Sequence, residues 1–244
     1  MSLAGADAAR VGEAAARDPR QGPHQDGRDA TAMATRYRLV IFDSDGTLAD
    51  SLPWFQEVVN DVADRFRFAR LDEARMERLR SAGPFETLKE LGVPRWKLPL
   101  IARHMRRLKA HDAHRTTLFP GVPAMLRRLK DRGVTLAVVS SDAEANVRRT
   151  LGPLNAGLID AYACGVPVFG KPGRMRQLLR RGRFQPAEVI AIGDEIRDIE
   201  AARSVGIAFG AVSWGYARPA ALAARAPAVL FATMDEIAAH VVGC

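Results

Sequence analysis

The sequence is poor in cysteine, lysine and aromatic residues, and it has no long hydrophobic run. Its two cysteines, Cys164 and Cys244, are too few for a disulfide framework. No window contains 18 successive apolar residues, so we predict no membrane span. Only 5 of the 36 basic residues are lysine, and aromatic residues make up 7% of the chain. These shortages exclude a disulfide-rich scaffold and a membrane-spanning protein.

What remains is the composition of an ordinary globular chain. It has 244 residues, of which 48% are hydrophobic and 26% charged, and its formal net charge is +8. The length fits one large domain or two small ones. Such a positive charge fits a nucleic-acid partner, whereas the excess of arginine over lysine also fits codon composition.

Residues 1–35 differ in composition from the rest of the chain. They are rich in Ala, Gly, Asp, Arg and Pro and contain almost no large apolar residue. Such a segment cannot bury enough surface to offset its ordering entropy, so we predict a disordered tail. It lacks the apolar stretch of a secretory signal, and its acidic residues argue against an organellar transit peptide. We therefore expect a cytoplasmic protein.

The remaining pattern predicts an α/β fold. An apolar run at 37–42 ends in Asp-Ser-Asp-Gly, which is typical of a buried strand that enters a loop. A stretch of predicted helices without strands follows, at 53–67, 71–80, 84–91 and 96–114. Later, helices predicted at 122–131, 143–151, 173–182 and 197–205 alternate with strands predicted at 134–140, 188–192, 207–212 and 228–231, and a Gly/Pro-rich loop leads from the helix at 143–151 to Lys171. This alternation indicates βαβ units, and hence a Rossmann-like parallel sheet core flanked by helices (36–49 and 117–244) with an inserted all-helical segment (50–116).

Reactive side chains follow the strands of this predicted sheet. The first strand leads into Asp43 and Asp45, the strand at 134–140 ends at Ser140, and the strand at 188–192 leads into Asp194. Two further candidates are Lys171, which opens a helix, and Asp198, four residues after Asp194. Ligands of open parallel sheets bind beyond the carboxyl ends of the strands, so we predict that these residues form one site.

These segments resemble the phosphatase branch of the haloacid dehalogenase (HAD) superfamily, specifically its phosphoglycolate phosphatase-like subgroup with a small helical cap. The matching motifs are DSDGTLADS at 43–51, the strand-terminal Ser140, Gly170-Lys171-Pro172, and GDEIRD at 193–198. They occur in the order and spacing of that family, and the resemblance covers nearly everything after residue 36. It implies that residues 50–116 form the cap.

The resemblance also implies roles for these residues in the hydrolysis of a phosphate monoester. Asp43 would attack phosphorus and become an aspartyl-phosphate, and Asp45 would protonate the leaving alcohol and then activate water. Mg²⁺, which prefers hard oxygen ligands, would be held by the Asp43 carboxylate, the Asp45 backbone carbonyl and Asp194. Ser140 and Lys171 would bind the substrate phosphate. Asp198 would orient bound water or Lys171 from outside the ligand set.

Each assignment has a structural alternative. Asp-Gly pairs often form plain turns, Lys171 could be a surface lysine, and Ser140 or Asp194 could cap the helix that follows it. His104, His111 and His114 fall on one predicted helix face, where we favour a solvated basic surface over a second metal site. Two acids, Asp142 and Glu195, depart from the family pattern and leave the substrate preference open.

We predict a Mg²⁺-dependent phosphatase of a small phosphorylated metabolite, and we expect neither a membrane nor a nucleic acid as its partner. Asp45 favours phosphoryl chemistry over carbon–halogen cleavage, because dehalogenases of the superfamily lack this second Asp. Two alternatives stay open at this point. One is a phosphomutase or phosphotransferase on the same scaffold, and the other is a non-catalytic binding protein that uses the basic surface.

Overall fold

The computed structural model describes residues 35–243, so the predicted disordered tail lies, except for Thr35, outside the described residues. The strands are β1 Leu39–Phe42, β2 Ala49–Asp50, β3 Thr117–Leu118, β4 Thr135–Val139, β5 Ala161–Ala163, β6 Val189–Gly193, β7 Ala208–Val212 and β8 Val229–Phe231. The helices are α1 Leu52–Phe66, α2 Glu73–Leu79, α3 Pro84–Leu91, α4 Leu98–His111, α5 Val122–Asp131, α6 Glu144–Ala156, α7 Lys171–Gly182, α8 Ile196–Val205, α9 Pro219–Ala223 and α10 Met234–Val242.

Six of the strands form one parallel sheet in the order β5-β4-β1-β6-β7-β8. The first strand lies near the centre, where Leu39–Phe42 pairs with β4 on one side and with β6 on the other. The predicted parallel α/β core is therefore confirmed. The carboxyl ends of β4, β1 and β6 are neighbours at one edge of the sheet.

The central strands are buried on both faces, which explains why they read as continuous apolar runs. Val40 and Phe42 pack into the core on one face, which includes α5 and α10. Leu39 and Ile41 pack into the core on the other face, which includes α7 and α8. The side chains of β1 alternate between the two cores because successive residues of a strand point to opposite faces.

Helices α1 to α4 form an insert between β1 and α5, which we call the helical insert (residues 52–111). The chain enters and leaves it through an antiparallel ribbon, in which Ala49 pairs with Leu118 and Asp50 with Thr117. The insert has a small apolar core of its own around Val59, Leu71, Leu91 and Val93. No helix among the described residues is long and apolar enough to cross a membrane.

Besides the ribbon of β2 and β3, which the sequence pattern did not predict, the structure departs from the predicted elements in two segments. Strand β5 lies in the segment predicted as a loop before Lys171; its three residues are only half-buried at the sheet edge, so they leave little hydrophobic signal. Helix α6 extends beyond the predicted end at 151, although its backbone breaks at Gly152, where φ is 71°. A proline follows this break, and the chain resumes helical geometry to Ala156.

We expect the sheet-facing side of α5 to contribute strongly to stability. Leu129 of this helix is fully buried, whereas Leu154 in α6 is 83% exposed. Leu129→Ala should lower the free energy of unfolding by about 2–5 kcal/mol, because it removes buried methyl groups and leaves a cavity. Leu154→Ala, the matched control, should change it by less than about 0.5 kcal/mol. Urea denaturation measures both, and equal effects would contradict this account of the core.

Candidate active site

The three central strands deliver three of the predicted residues to one edge of the sheet. Asp43 follows β1, Ser140 follows β4 and Asp194 follows β6. Two helices add the others, since Lys171 is the first residue of α7 and Asp198 lies in the first turn of α8. All five side chains are buried. Burial of so many polar groups is costly unless they form hydrogen bonds or ion pairs with one another.

Lys171 compensates two of the carboxylates. Its Nζ lies 2.7 Å from Oδ2 of Asp43 and 2.6 Å from Oδ1 of Asp198. The other oxygen of Asp43, Oδ1, accepts a hydrogen bond of 2.8 Å from the backbone N–H of Ser44. The alternative of a surface lysine is therefore wrong, and both oxygens of Asp43 are held in place.

Burial dominates the electrostatics of this pair. It raises the pKa of Asp43 to about 7, although the Lys171 ammonium opposes that shift. For Lys171, burial alone would lower the pKa, but the carboxylates of Asp198 and Asp43 outweigh it and raise the pKa above its ordinary value. The site thus contains more buried negative charge than Lys171 alone can balance.

Asp194 is the carboxylate that lacks a cation. It is fully buried, and its two oxygens accept hydrogen bonds from neutral donors, the Thr47 hydroxyl (2.8 Å) and the Tyr216 backbone N–H (2.8 Å). No ion pair to Asp194 exists among the described residues. Burial, followed by the nearby acids Glu195, Asp43 and Asp198, raises its pKa well above the ordinary value.

A hard divalent cation fits this arrangement. Carboxylate oxygens of Asp43, Asp194 and Asp198 all lie within 4.8 Å of one another. Such an all-oxygen donor set suits Mg²⁺, and a divalent ion would neutralise the charge that Lys171 leaves uncompensated. The alternative that Asp194 caps a helix is wrong, because the residue at the N-terminal cap of α8 is Glu195.

The side chain of Asp45 faces the helical insert. Oδ1 of Asp45 accepts a hydrogen bond from Nζ of Lys109, a residue of α4 that the sequence did not single out. The same ammonium lies 3.1 Å from Oδ2 of Asp142. The Asp45 carboxylate is therefore held by a lysine of the helical insert, whereas Asp43 is held by Lys171 of the core.

Ser140 lies at the same edge but contacts its own loop. Its hydroxyl oxygen accepts a hydrogen bond of 3.1 Å from the backbone N–H of Asp142. The N-terminal cap of α6 is Ala143, so the alternative of Ser140 as that cap is wrong. Among the described residues the Ser140 hydroxyl donates to no acceptor, which leaves its proton available to a ligand.

Other predicted residues have structural partners. The Glu195 carboxylate accepts a hydrogen bond of 2.6 Å from Nε of Arg197 and lies outside the aspartate cluster. The ring of His104 packs 5.5 Å from the ring of Phe66, and the only group of metal-ligating type in the described part of the chain is the aspartate cluster. The histidines therefore form no second metal centre there.

A cavity of about 300 Å³ lies mainly within the helical insert. It is lined mainly by apolar side chains of α1 to α4 and reaches Arg197 and Tyr216 of the core, but Asp43 is not in its wall. Arg80 borders it and donates hydrogen bonds to the backbone carbonyls of Tyr216 (2.8 Å) and Gly215 (3.2 Å). The candidate active site is therefore the cluster of aspartates with Lys171, not this cavity.

The comparison with protein families decides the identity of this fold. The family model for haloacid dehalogenase-like hydrolases matches residues 40–212, which include Asp43, Ser140, Lys171 and Asp194. The chain belongs to this family. It is therefore an enzyme of the hydrolase class, and the resemblance drawn from the motifs is confirmed.

Curated relatives of this HAD-like hydrolase include two kinds of protein. A phosphoglycolate phosphatase from Synechococcus elongatus is 33% identical over 201 residues, which cover 82% of this chain and 95% of the relative. The tyrosine-protein kinase PtkA from Mycobacterium tuberculosis is 28% identical over 222 residues, which cover 86% of this chain and 74% of the relative. A structure from Clostridium acetobutylicum, described as a predicted phosphatase, shares the fold with a TM-score of 0.71 at 22% identity, over 85% of this chain and 99% of that one.

We expect Gly46 to be essential for the packing of this site in the HAD-like hydrolase. Its φ is +74°, and an added Cβ would collide with Oδ2 of Asp194 and the ring of Tyr216. Gly133, the matched control, has a φ of +73° and open space around the same position. Both alanine variants incur backbone strain of about 1 kcal/mol, whereas Gly46→Ala should lose roughly 1–3 kcal/mol more in a urea titration. Equal losses would show that the collision is relieved at no cost.

Proposed function

We propose that this HAD-like hydrolase is a Mg²⁺-dependent phosphatase that hydrolyses a small phosphorylated metabolite through an aspartyl-phosphate. The observation that carries the proposal is the fixed position of Asp43. One of its oxygens lies 2.7 Å from the Lys171 ammonium, and carboxylate oxygens of Asp194 and Asp198 lie within 4.8 Å of an oxygen of Asp43. A nucleophile held beside a binding place for phosphate oxygens is what in-line phosphoryl transfer requires.

The reaction would proceed in two steps. A carboxylate oxygen of Asp43 forms a bond to phosphorus while the ester P–O bond breaks, and Asp45 gives its proton to the leaving alkoxide. Asp45 then takes a proton from water, whose oxygen attacks phosphorus and releases inorganic phosphate from Asp43. Lys171 keeps Asp43 oriented and balances charge on the phosphoryl oxygens, and the Ser140 hydroxyl donates a hydrogen bond to one of them.

Mg²⁺ would be held by the carboxylates of Asp43 and Asp194 and the backbone carbonyl of Asp45. When bound, it would supply positive charge to the phosphoryl oxygens. Oδ1 of Asp198 already accepts a hydrogen bond of 2.6 Å from the Lys171 ammonium. The proposed role of Asp198 is therefore to orient that lysine rather than to bind the metal directly. This assignment leaves Asp194 as the ligand most dependent on the ion for charge compensation.

We further propose that residues 50–116 act as a cap over the core formed by 36–49 and 117–244. The ribbon of β2 and β3 joins the two parts, and Arg80 of the insert contacts the loop that carries Tyr216. A cap in this place would exclude water from the reacting groups. A cytoplasmic location stays a prediction.

The relative named phosphoglycolate phosphatase supports a small phosphorylated metabolite as substrate. The relative named tyrosine-protein kinase favours a second candidate function, phosphoryl transfer from Asp43 to an acceptor other than water. Product analysis separates the two, because a phosphatase releases one inorganic phosphate for each ester cleaved, whereas a phosphotransferase places the group on a hydroxyl. The non-catalytic alternative has no support, since the family is one of hydrolases.

Replacement of Asp43 tests the nucleophile. Asp43→Asn should lower kcat for 4-nitrophenyl phosphate and phosphoglycolate by roughly three orders of magnitude or more, because an amide oxygen cannot form the acyl phosphate. Asp131→Asn alters an exposed aspartate outside the site and should keep full activity. Steady-state release of inorganic phosphate measures both variants. Appreciable activity of Asp43→Asn would refute the mechanism.

Metal binding is measurable without turnover. Mg²⁺ should raise the melting temperature of the wild-type protein by roughly 3–6 °C at about ten times Kd, because it binds the folded state alone. Asp194→Asn should abolish most of this increase, since Asp194 is the buried carboxylate without a cation. Asp131→Asn serves again as the control and should keep it. A Mg²⁺-induced shift that survives in Asp194→Asn would place the ion elsewhere.

A further inference from the structure

Lys109 is a buried lysine to which the proposed mechanism gives no role. It lies near the end of α4 in the helical insert and is 5% exposed. Its ammonium donates to Oδ1 of Asp45, lies 3.1 Å from Oδ2 of Asp142, and is 6.0 Å from the ring centre of Trp54. A lysine is rarely buried without such partners, because loss of hydration of its charge is costly.

The partners of Lys109 belong to a wider contact between α4 and the core loop after β4. Nη1 of Arg106 donates to the carbonyl of Ser141 at 3.0 Å, and Nδ2 of Asn146 donates to the carbonyl of Arg106 at 3.0 Å. Arg106 and Lys109 are three residues apart and therefore lie on one face of α4. This face of the insert is docked on the core by directed polar contacts.

Asp142 has partners in its own loop and helix besides the Lys109 ammonium. Its Oδ1 accepts hydrogen bonds from the backbone N–H of Ala143 (2.7 Å) and from Nδ2 of Asn146 (2.8 Å). Its Oδ2 is buried near the Lys109 ammonium, but the geometry of that approach does not make a hydrogen bond. The stronger, directed contact of Lys109 is therefore the one to Asp45.

The contact leaves half of the Asp45 carboxylate available. Lys109 binds Oδ1, and in the described part of the chain no side chain binds Oδ2 of Asp45. The Asp45 side chain is 26% exposed, so without Lys109 it would have a wide choice of rotamers. A proton donor within a cleft loses efficiency when its oxygen is not held within reach of the leaving group.

We propose that Lys109 is a positioning residue of the insert that anchors Oδ1 of Asp45, so that Oδ2 is presented to the leaving-group oxygen when the insert is docked on the core. Asp142 holds the ammonium in place from the core side. Closure of the insert and placement of the proton donor are thereby one event. This inference rests on the proposed function, in which Asp45 transfers the proton.

Lys109→Met, which keeps an aliphatic side chain but removes the ammonium, tests the proposal. The probes are 4-nitrophenyl, phenyl and benzyl phosphate, whose leaving alkoxides carry no charged substituent, are similar in size and increase in basicity in that order. Because poor leaving groups depend most on protonation, kcat/KM for benzyl phosphate should fall about 10- to 100-fold, and for 4-nitrophenyl phosphate less than about 3-fold. Arg107→Met, an exposed basic residue on the same helix, should leave both values within about 2-fold.

Two further variants keep the test decisive. The double variant Lys109→Met with Asp142→Asn removes one charge of each sign and so preserves the local charge balance. It replaces the single variant if that one folds poorly, and it should show the same selective loss. In an Asp45→Asn background, Lys109→Met should add no further dependence on the leaving group, because its effect acts through Asp45.

The outcomes separate this inference from the proposed function. An equal loss for all three esters, or no loss, would overturn the role of Lys109 while leaving the phosphatase intact. A further selective loss in the Asp45→Asn background would also overturn it, because Lys109 would then act on the leaving group by another route. A wild-type protein without phosphatase activity would overturn both.

Discussion

The arrangement of the site depends on buried negative charge at the carboxyl edge of the sheet. Asp43, Asp194 and Asp198 lie within 4.8 Å of one another, and Lys171 is the cation that contacts two of them. Carboxylates this close are stable as ions only when positive charge is fixed beside them. Lys171, in the first turn of α7, supplies part of this positive charge, and the proposed Mg²⁺ would supply the rest beside Asp194.

The same requirement links the helical insert to the core. Lys109 of the insert contacts Asp45 and Asp142, and Arg80 contacts the loop that carries Tyr216. The insert thus brings positive charge to the reacting edge, whereas its apolar cavity stays apart from Asp43. The net charge of +8, which fits a nucleic-acid partner when taken as a total, acquires a local meaning, because one of its basic residues, Lys109, contacts Asp45 at the site.

Much of the fold and the site was predictable because the signals are local. A buried parallel strand reads as an apolar run, so β1 was found directly, and the helix α5 was predicted with its observed bounds. Strand β5 was not predicted, because its three half-buried residues at the sheet edge show no hydrophobic periodicity. Lys109 was not predicted as a site residue, because it lies 64 residues from Asp45 in the sequence and nothing within α4 distinguishes it from its exposed basic neighbours.

The sequence by itself determined the α/β class, the family and the identity of the residues at the strand ends. It could do so because strand periodicity and the motifs around Asp43, Lys171 and Asp194 are contained in short segments. Tertiary structure alone decided which group each charge contacts: Lys171 contacts Asp43 and Asp198, Asp194 accepts hydrogen bonds from neutral donors, and Asp45 contacts a lysine of the insert. The physical reason is that burial and distance, which set the energy of a charge, arise only when distant segments pack together.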